Sequence, residues 1–386
     1  MKYIKFGKIN KKFLIPVFGG FIVLVYKLTI PNVPKNEIIS KNPFIINIYV
    51  SLGMLFALIP FIILKHRSKA SSVSETQTES KLKFELLYNE QYLDNSSLKL
   101  KLILYSTTFD FLQGLLLNLF CSEFVYNLWI FDIILMSLFS YLILKMKLYN
   151  HQFFSMIIII IFGFMLNIIV YFKLDDNDKK LNFLEIFIKF LCEICLSLNM
   201  VIIKYNMVKT YCSPYVICFY QGLFDLILNV IVLIIINLSG VVIAGIKYPD
   251  NFYELFDNYD IYDFIICFII MLIYFIFNIV LLVTCENFTP FHILITSIIK
   301  ECYNYIKFDK YTTLNILGFF ILLIIAFMFL VFIEIIEINI CKISYNTKNN
   351  IETRALIESN DDIDNYLSNQ NDEIIVELNT FEEDNK

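Results

Sequence analysis

Long apolar runs, cut by short polar knots, fill most of the chain. The stretch SLFSYLILKMKLYNHQFFSMIIIIIFG from Ser137 to Gly163 is representative: an apolar run, then Lys145, Lys147, Asn150, His151 and Gln152, then a second apolar run. A helix crosses a hydrocarbon core of roughly 30 Å in about 20 mostly apolar residues, and ten windows have that character. They lie at 13–31, 44–64, 102–120, 124–144, 152–172, 183–204, 214–238, 262–284, 289–306 and 312–336. Helices are expected, because lipid offers no partner to an open strand edge. The third and ninth windows carry several polar side chains. The pattern predicts an all-α polytopic membrane protein of ten transmembrane helices.

Composition points the same way. The chain is 58% hydrophobic with a mean hydropathy of +0.68, above the roughly half apolar content of soluble domains. Charge then orients the spans. Paired lysines in the turn between the fourth and fifth windows mark a cytosolic side. An even number of spans puts both termini there, together with the lysines of the tail 1–12 and of the segment 65–101. The opposite loops include the acidic LDDNDKK at 174–180 and YPDNFYELFDNYD at 248–260, although Lys307 and Lys310 break the rule. The first apolar stretch follows a lysine-rich tail and lacks a small-residue cleavage site, which suits a signal anchor.

Two regions read as non-spanning. The loop 65–100 is polar and expected to be mobile, and the tail 341–386 is acidic and expected to be disordered and cytosolic. Within the tail, ETRALI from Glu352 to Ile357 fits the acidic-xxx-Leu-Ile pattern of sorting adaptors, with Glu352, Leu356 and Ile357 as its contacts. That favours an endolysosomal or vacuolar membrane, with Golgi as the alternative. The Asn95-Ser96-Ser97 sequon falls in a loop assigned to the cytosol and is expected to stay unglycosylated.

The chain also repeats. FCSEFVYNLWIFDIILMSLFSYLILKMKLYN from Phe120 has a counterpart in VTCENFTPFHILITSIIKECYNYIKFDK from Val283, matching Cys121 to Cys285, Ser137 to Ser297 and Lys147 to Lys307. A long apolar window with one glycine follows each, Gly163 and Gly318. The repeat divides the chain into five helices over 13–172 and five over 183–336. An odd number per half places the halves in opposite orientation, the inverted-repeat plan of many secondary transporters. It also makes the Lys307 turn the mirror of the Lys147 turn.

The ten-helix layout, FSYLILKMKLYNHQFF and the helix-five glycine resemble the drug/metabolite transporter superfamily, the EamA-like fold. FDFLQGLLLNLF at 109–120 and KYNMVKTYCSPYVICFYQGLFD at 204–225 resemble its solute carrier 35 group, nearest the lysosomal and chloroquine-resistance-type branch. The resemblance covers most of 13–336. It implies that helices one to four and six to nine surround a central cavity while five and ten pack outside. Asp110 matches the branch's helix-three Asp, whereas Gln221-Gly222 stands where the branch has Glu-Gly.

Charge inside a bilayer is expensive, so intramembrane ionisable groups are functional candidates by default. Asp110 and Gln113, or Gly114, share a face of helix three with Asn118. Glu185, Lys189, Glu193 and Ser197 recur every four residues on helix six, so that Lys189 can pair with either glutamate. Gln221, Asp225 and Asn229 do the same on helix seven, and Thr296, Lys300, Tyr303 and Asn304 line helix nine. A shared water-filled cavity satisfies all four stripes. The substrate-binding candidates are therefore Asp110, Gln113, Lys189, Glu193, Gln221, Asp225, Lys300 and Tyr303. Each has a plain alternative. Glu185 and Lys189 can form a structural pair near the surface, Asp225 can be interfacial, and Lys300 with Glu301 can snorkel, as Lys27 is expected to. His292 and Asp132 can couple protons or simply pack, Trp129 suits an interfacial anchor, and Gly19, Gly20, Gly53 and Gly222 suit close helix contacts.

Other classes find little. The three histidines fall in no HExxH, and there is no GxSxG, no phosphate-binding GxxxxGK[ST] and no basic aromatic surface for nucleic acid. The nine cysteines are odd in number and lie mostly within spans, and the Cys192–Cys195 CxxC has no second pair beside it. No enzyme activity, metal or cofactor is expected. The expected function is alternating-access transport of a small polar organic solute, such as a nucleotide sugar, an amino acid or peptide, or an organic cation, driven by a proton or solute gradient. A homodimer stays open, and the alternative is a non-transporting membrane receptor or scaffold of the same fold.

Overall fold

A computed structural model describes residues 4–6, 11–29, 43–63, 96–120, 130–173, 183–239, 242–243, 246–247, 261–306 and 313–338. The acidic tail with its sorting motif, the sequon asparagine, Trp129, Cys121, the Lys307 turn and the two acidic loops lie outside the described residues, as do the side chains of Lys27, Asn118 and Asn304. The described residues are almost entirely helical. Their ten α-helices are α1 (Leu14–Thr29), α2 (Pro43–Leu55), α3 (Ser96–Phe120), α4 (Ile130–Leu144), α5 (Asn150–Lys173), α6 (Phe183–Thr210), α7 (Pro214–Ser239), α8 (Ile261–Asn287), α9 (Leu294–Ile306) and α10 (Thr313–Phe332). Six of these, α3, α5, α6, α7, α8 and α10, are long and apolar enough to cross a membrane. α1, α2 and α4 are shorter apolar helices. Phe153, Ile157, Ile161, Phe164, Ile168 and Phe172 form an exposed stripe along α5, as do Phe264, Phe268, Leu272 and Ile276 along α8. Faces of that kind find their solvent in lipid. The chain is a multi-pass membrane protein.

Hydropathy located the helices better than it located their ends. α3 begins at Ser96, ahead of the apolar window, and α6 runs on to Thr210 through polar KYNMVKT. Hydropathy marks where the lipid stops, whereas a helix stops where its backbone is capped. α6 ends at Tyr211 with φ 50°, α4 at Lys145 with φ 56°, and α10 just before Glu334 with φ 63°. At α10 the Ile335 N–H donates to Leu330 O at 2.9 Å and the Glu334 N–H to Val331 O at 3.1 Å, the six-to-one and five-to-two bonds of a Schellman motif; at α4 the Met146 N–H reaches back to Ser140 O at 3.2 Å. α5 restarts at once, because Gln152 Oε1 accepts the Tyr149 N–H at 3.1 Å, half of a capping box. In α2 the helix breaks at Phe56 and Ala57 before resuming to Ile63. Pro60 explains this: its ring opposes the carbonyl four residues back, and Phe56 O takes the Ile59 N–H at 3.0 Å instead.

Packing follows a regular plan. α3 lies along α6 and α8 along α1; α4 packs on α6 and α9 on α1; α2 packs on α8 and α3 on α7. α2 meets α7, α5 meets α10, and α4–α5 and α9–α10 are neighbours. Small residues set the closest approaches. Gly53 faces the backbone of Met271, Gly20 faces Ile299, and a Cβ on Gly222 would stand 2.6 Å from Met54 Cβ and 2.9 Å from Ser51 O. Two short antiparallel pairs complete the described residues, β2 (Val242–Ile243) with β3 (Ile246–Lys247) and β1 (Ile4–Phe6) with β4 (Ile336–Ile338). The second brings the N-terminal segment beside the chain leaving α10.

Candidate functional site

The packing of α2, α3, α6 and α7 brings polar groups from all four helices together. On α3, Asp110 Oδ1 accepts from Asn199 Nδ2 of α6 at 3.0 Å. Gln221 Nε2 of α7 lies 3.5 Å from Asn199 Oδ1 and donates to Ser106 Oγ of α3 at 3.1 Å. One turn along α7, Asp225 Oδ2 is 2.5 Å from Ser51 Oγ of α2, itself 2.8 Å from Asn47 O. Asn229 Nδ2 donates to the Asp225 carbonyl at 2.9 Å. Ser51, Ser106, Asn199, Gln221 and Asn229 are buried and Asp110 is half-buried. Asp225, 9% exposed, is enclosed by helices. Among the described residues, neither Asp110 nor Asp225 has a basic partner, and the Asp225 carboxyl acts electrostatically on that of Asp110.

A cavity lies between three of the same helices, and none of the network's side chains lines it. Of about 520 Å³ between α2, α3 and α7, it is lined by Leu58, Phe61, Lys99, Ile103, Phe219 and Tyr220, among others. Ile103 lies one turn before Ser106, and Tyr220 precedes Gln221.

The remaining candidates fall elsewhere. Lys189 pairs with Glu193, Nζ to Oε1 2.9 Å, at the packing of α6 on α4. Gln113 contributes its backbone carbonyl, 3.9 Å from Cys192 Sγ. Lys300 lines a second cavity of about 300 Å³ between α1, α8 and α9, with Tyr274, Thr296 and Ser297. Tyr303, one turn further along α9, is half-buried. The four stripes thus resolve into distinct groups, since α9 packs on α1 and α10 while α3 packs on α6 and α7.

Sequence reasoning missed Ser51, Ser106 and Asn199, which carry the hydrogen bonds between the charged stripes. Each is a neutral polar residue in an apolar window, as in NIYVSLGML, a signal too common among helices to single them out. It also left Asp132 undecided; the structure buries it at 1% exposure. His292 is held by Thr289 Oγ1, 3.0 Å from Nδ1, and stacks on Phe288 with ring centroids 4.7 Å apart, a packed position at the α8–α9 turn.

Compared with known proteins, the chain matches no protein-family model and no curated protein sequence.

Proposed function

We propose that the protein is a secondary transporter that moves a small polar organic solute across an internal membrane by alternating access. The observation that carries this reading is the buried network shared by α2, α3, α6 and α7, in which two carboxyls have only neutral partners. Ionisable groups inside a bilayer face the bundle interior or a water-filled cavity and mark substrate and ion pathways. Of the solute classes considered, nucleotide sugars, amino acids or peptides, and organic cations, this site suits one bearing an amine.

The packing supports a two-half plan. Adding five to each helix number turns α3–α6 into α8–α1, α4–α6 into α9–α1, α3–α7 into α8–α2 and α4–α5 into α9–α10, and all of these contacts are present. α2–α7 and α5–α10 map onto themselves, as elements on a pseudo-two-fold axis do. On this reading the halves are 13–172 and 183–336, both termini are cytosolic, and the architecture is that of the drug/metabolite transporter superfamily. The sorting motif then favours an endolysosomal or vacuolar membrane over Golgi.

Uptake by purified protein in liposomes tests this across nucleotide sugars, amino acids, short peptides and organic cations. Saturable uptake of one class, strongest for a basic solute, is the expected result. No uptake of any class by folded protein would instead favour the receptor or scaffold reading, which the self-satisfied bonds of Ser51, Asn199 and Gln221 also accommodate.

A further inference from the structure

Apart from the Asp110–Asp225 network, a second set of ionisable side chains is enclosed where α4 packs on α6. Lys189 and Glu193, one turn apart on α6, form the 2.9 Å ion pair. Asp132, in the first turn of α4, meets them from across the interface. Its carboxyl is within hydrogen-bond reach of the Glu193 carboxyl and 3.3 Å from Ser197 Oγ. Asp132 is 1% exposed and Glu193 3%.

Two carboxyls face one ammonium here, and among the described residues the remaining negative charge has no other base to meet. The charged groups acting on Asp132 are Glu193 and Lys189, and Cys192 of α6 stands beside Lys189. α3 presents a backbone carbonyl, that of Gln113, to Cys192. α5 presents apolar surface: Phe164 lies edge-on to Phe131, and Gly163 admits Ile130 closely. Carboxylates in contact inside a low-dielectric bundle repel strongly unless one is protonated. A proton between them removes the surplus charge and supplies the hydrogen that a carboxyl–carboxyl hydrogen bond requires.

We propose that Asp132 and Glu193 share one exchangeable proton and that, with Lys189, they form a proton-coupling site separate from the solute site. In the loaded state the Asp132 carboxyl donates to the Glu193 carboxylate, which also holds the Lys189 ammonium. Unloading transfers that proton to water and leaves two carboxylates on one ammonium; reloading from water on the opposite side restores the neutral cluster. Lys189, 21% exposed, is the most exposed member. Coupling to solute movement rests on the transporter reading, whereas occupancy by the proton does not.

Infrared difference spectroscopy of reconstituted wild type against Asp132→Asn and Glu193→Gln at neutral pH tests occupancy directly. A protonated-carboxyl stretch present in wild type and missing from both variants is expected; a band unchanged in both would overturn the proposal. Should Glu193→Gln fail to fold because it strands Lys189, Asp132→Asn decides alone, since it keeps the Lys189–Glu193 pair. Coupling is read from accumulation under a pH gradient, using a solute that the wild type carries. Asp132→Asn is expected to retain solute counterflow while accumulation falls to the level without a gradient. Gradient-driven accumulation at wild-type level in Asp132→Asn would overturn coupling. Absence of counterflow in wild type would refute the transporter reading, and the infrared band would still decide whether the proton is there.

Discussion

Asp110 and Asp225 hold carboxyls among neutral donors, so replacing either by its amide removes charge while keeping shape. Asp110→Asn and Asp225→Asn are each expected to fold normally and to weaken binding of a basic solute by about 2 kcal/mol, roughly thirtyfold, seen as a higher half-saturation concentration in uptake assays. Unchanged uptake by both would remove the assigned site. The two aspartates were legible in the sequence because a charge in an apolar run declares itself. Their partners were not: Ser51 and Asn199 matter only because α2 faces α7 and α6 faces α3, and helical spacing within one element carries no information about its neighbour. Lys189 illustrates the same gap. Its spacing allowed Glu185 or Glu193, and the burial of Glu193 against α4 decides for the latter.

Helix contacts give the element-scale tests. At Gly222 an added Cβ meets Met54 and the Ser51 carbonyl, so Gly222→Ala is expected to destabilise the α2–α7 contact by about 1–3 kcal/mol. Gly114→Ala, whose Cβ would lie 3.5 Å from its nearest neighbour, Asn47 Nδ2, is the matched control. Thermal unfolding in detergent should show a lower midpoint for the first and little change for the second. A latch joins two other helices: Lys204 Nζ of α6 donates to Cys285 O at 2.7 Å and to Glu286 O at 3.1 Å, capping the carbonyl end of α8. Lys204→Met forfeits hydrogen bonds worth about 1.5–3 kcal/mol. Alkylation of the buried Cys285, kept as the single cysteine, should then accelerate at least about tenfold; an unchanged rate would show that the latch does not hold this end. Apolar windows located these helices well, while their caps at Lys145, Tyr211 and Glu334 and the break before Pro60 depend on local backbone geometry that hydropathy does not register.

For the whole molecule, the pairing of Ile4–Phe6 with Ile336–Ile338 sets Lys5 opposite Glu337. Opposed strand residues lie within about 5.5 Å between Cα atoms, inside disulfide reach. Oxidation of a Lys5→Cys, Glu337→Cys variant in isolated membranes should give an intramolecular crosslink; no crosslink in folded protein would contradict this strand pairing. The proposed two-half plan rests in the sequence on an alignment around Ser137 and Ser297. What alignment lacked is the three-dimensional correspondence, in which nearly every helix contact reappears five helices on.

Solute counterflow tests the transporter claim most directly. Liposomes holding purified wild type or the Asp110→Asn, Asp225→Asn double variant would be preloaded with one solute of the panel, and entry of its labelled form followed. The expected result is a transient overshoot with wild type, which only a carrier with a single alternating site produces, and none with the double variant. Labelled solute that never overshoots with folded wild type for any solute, or an ionic conductance in its place, would contradict it.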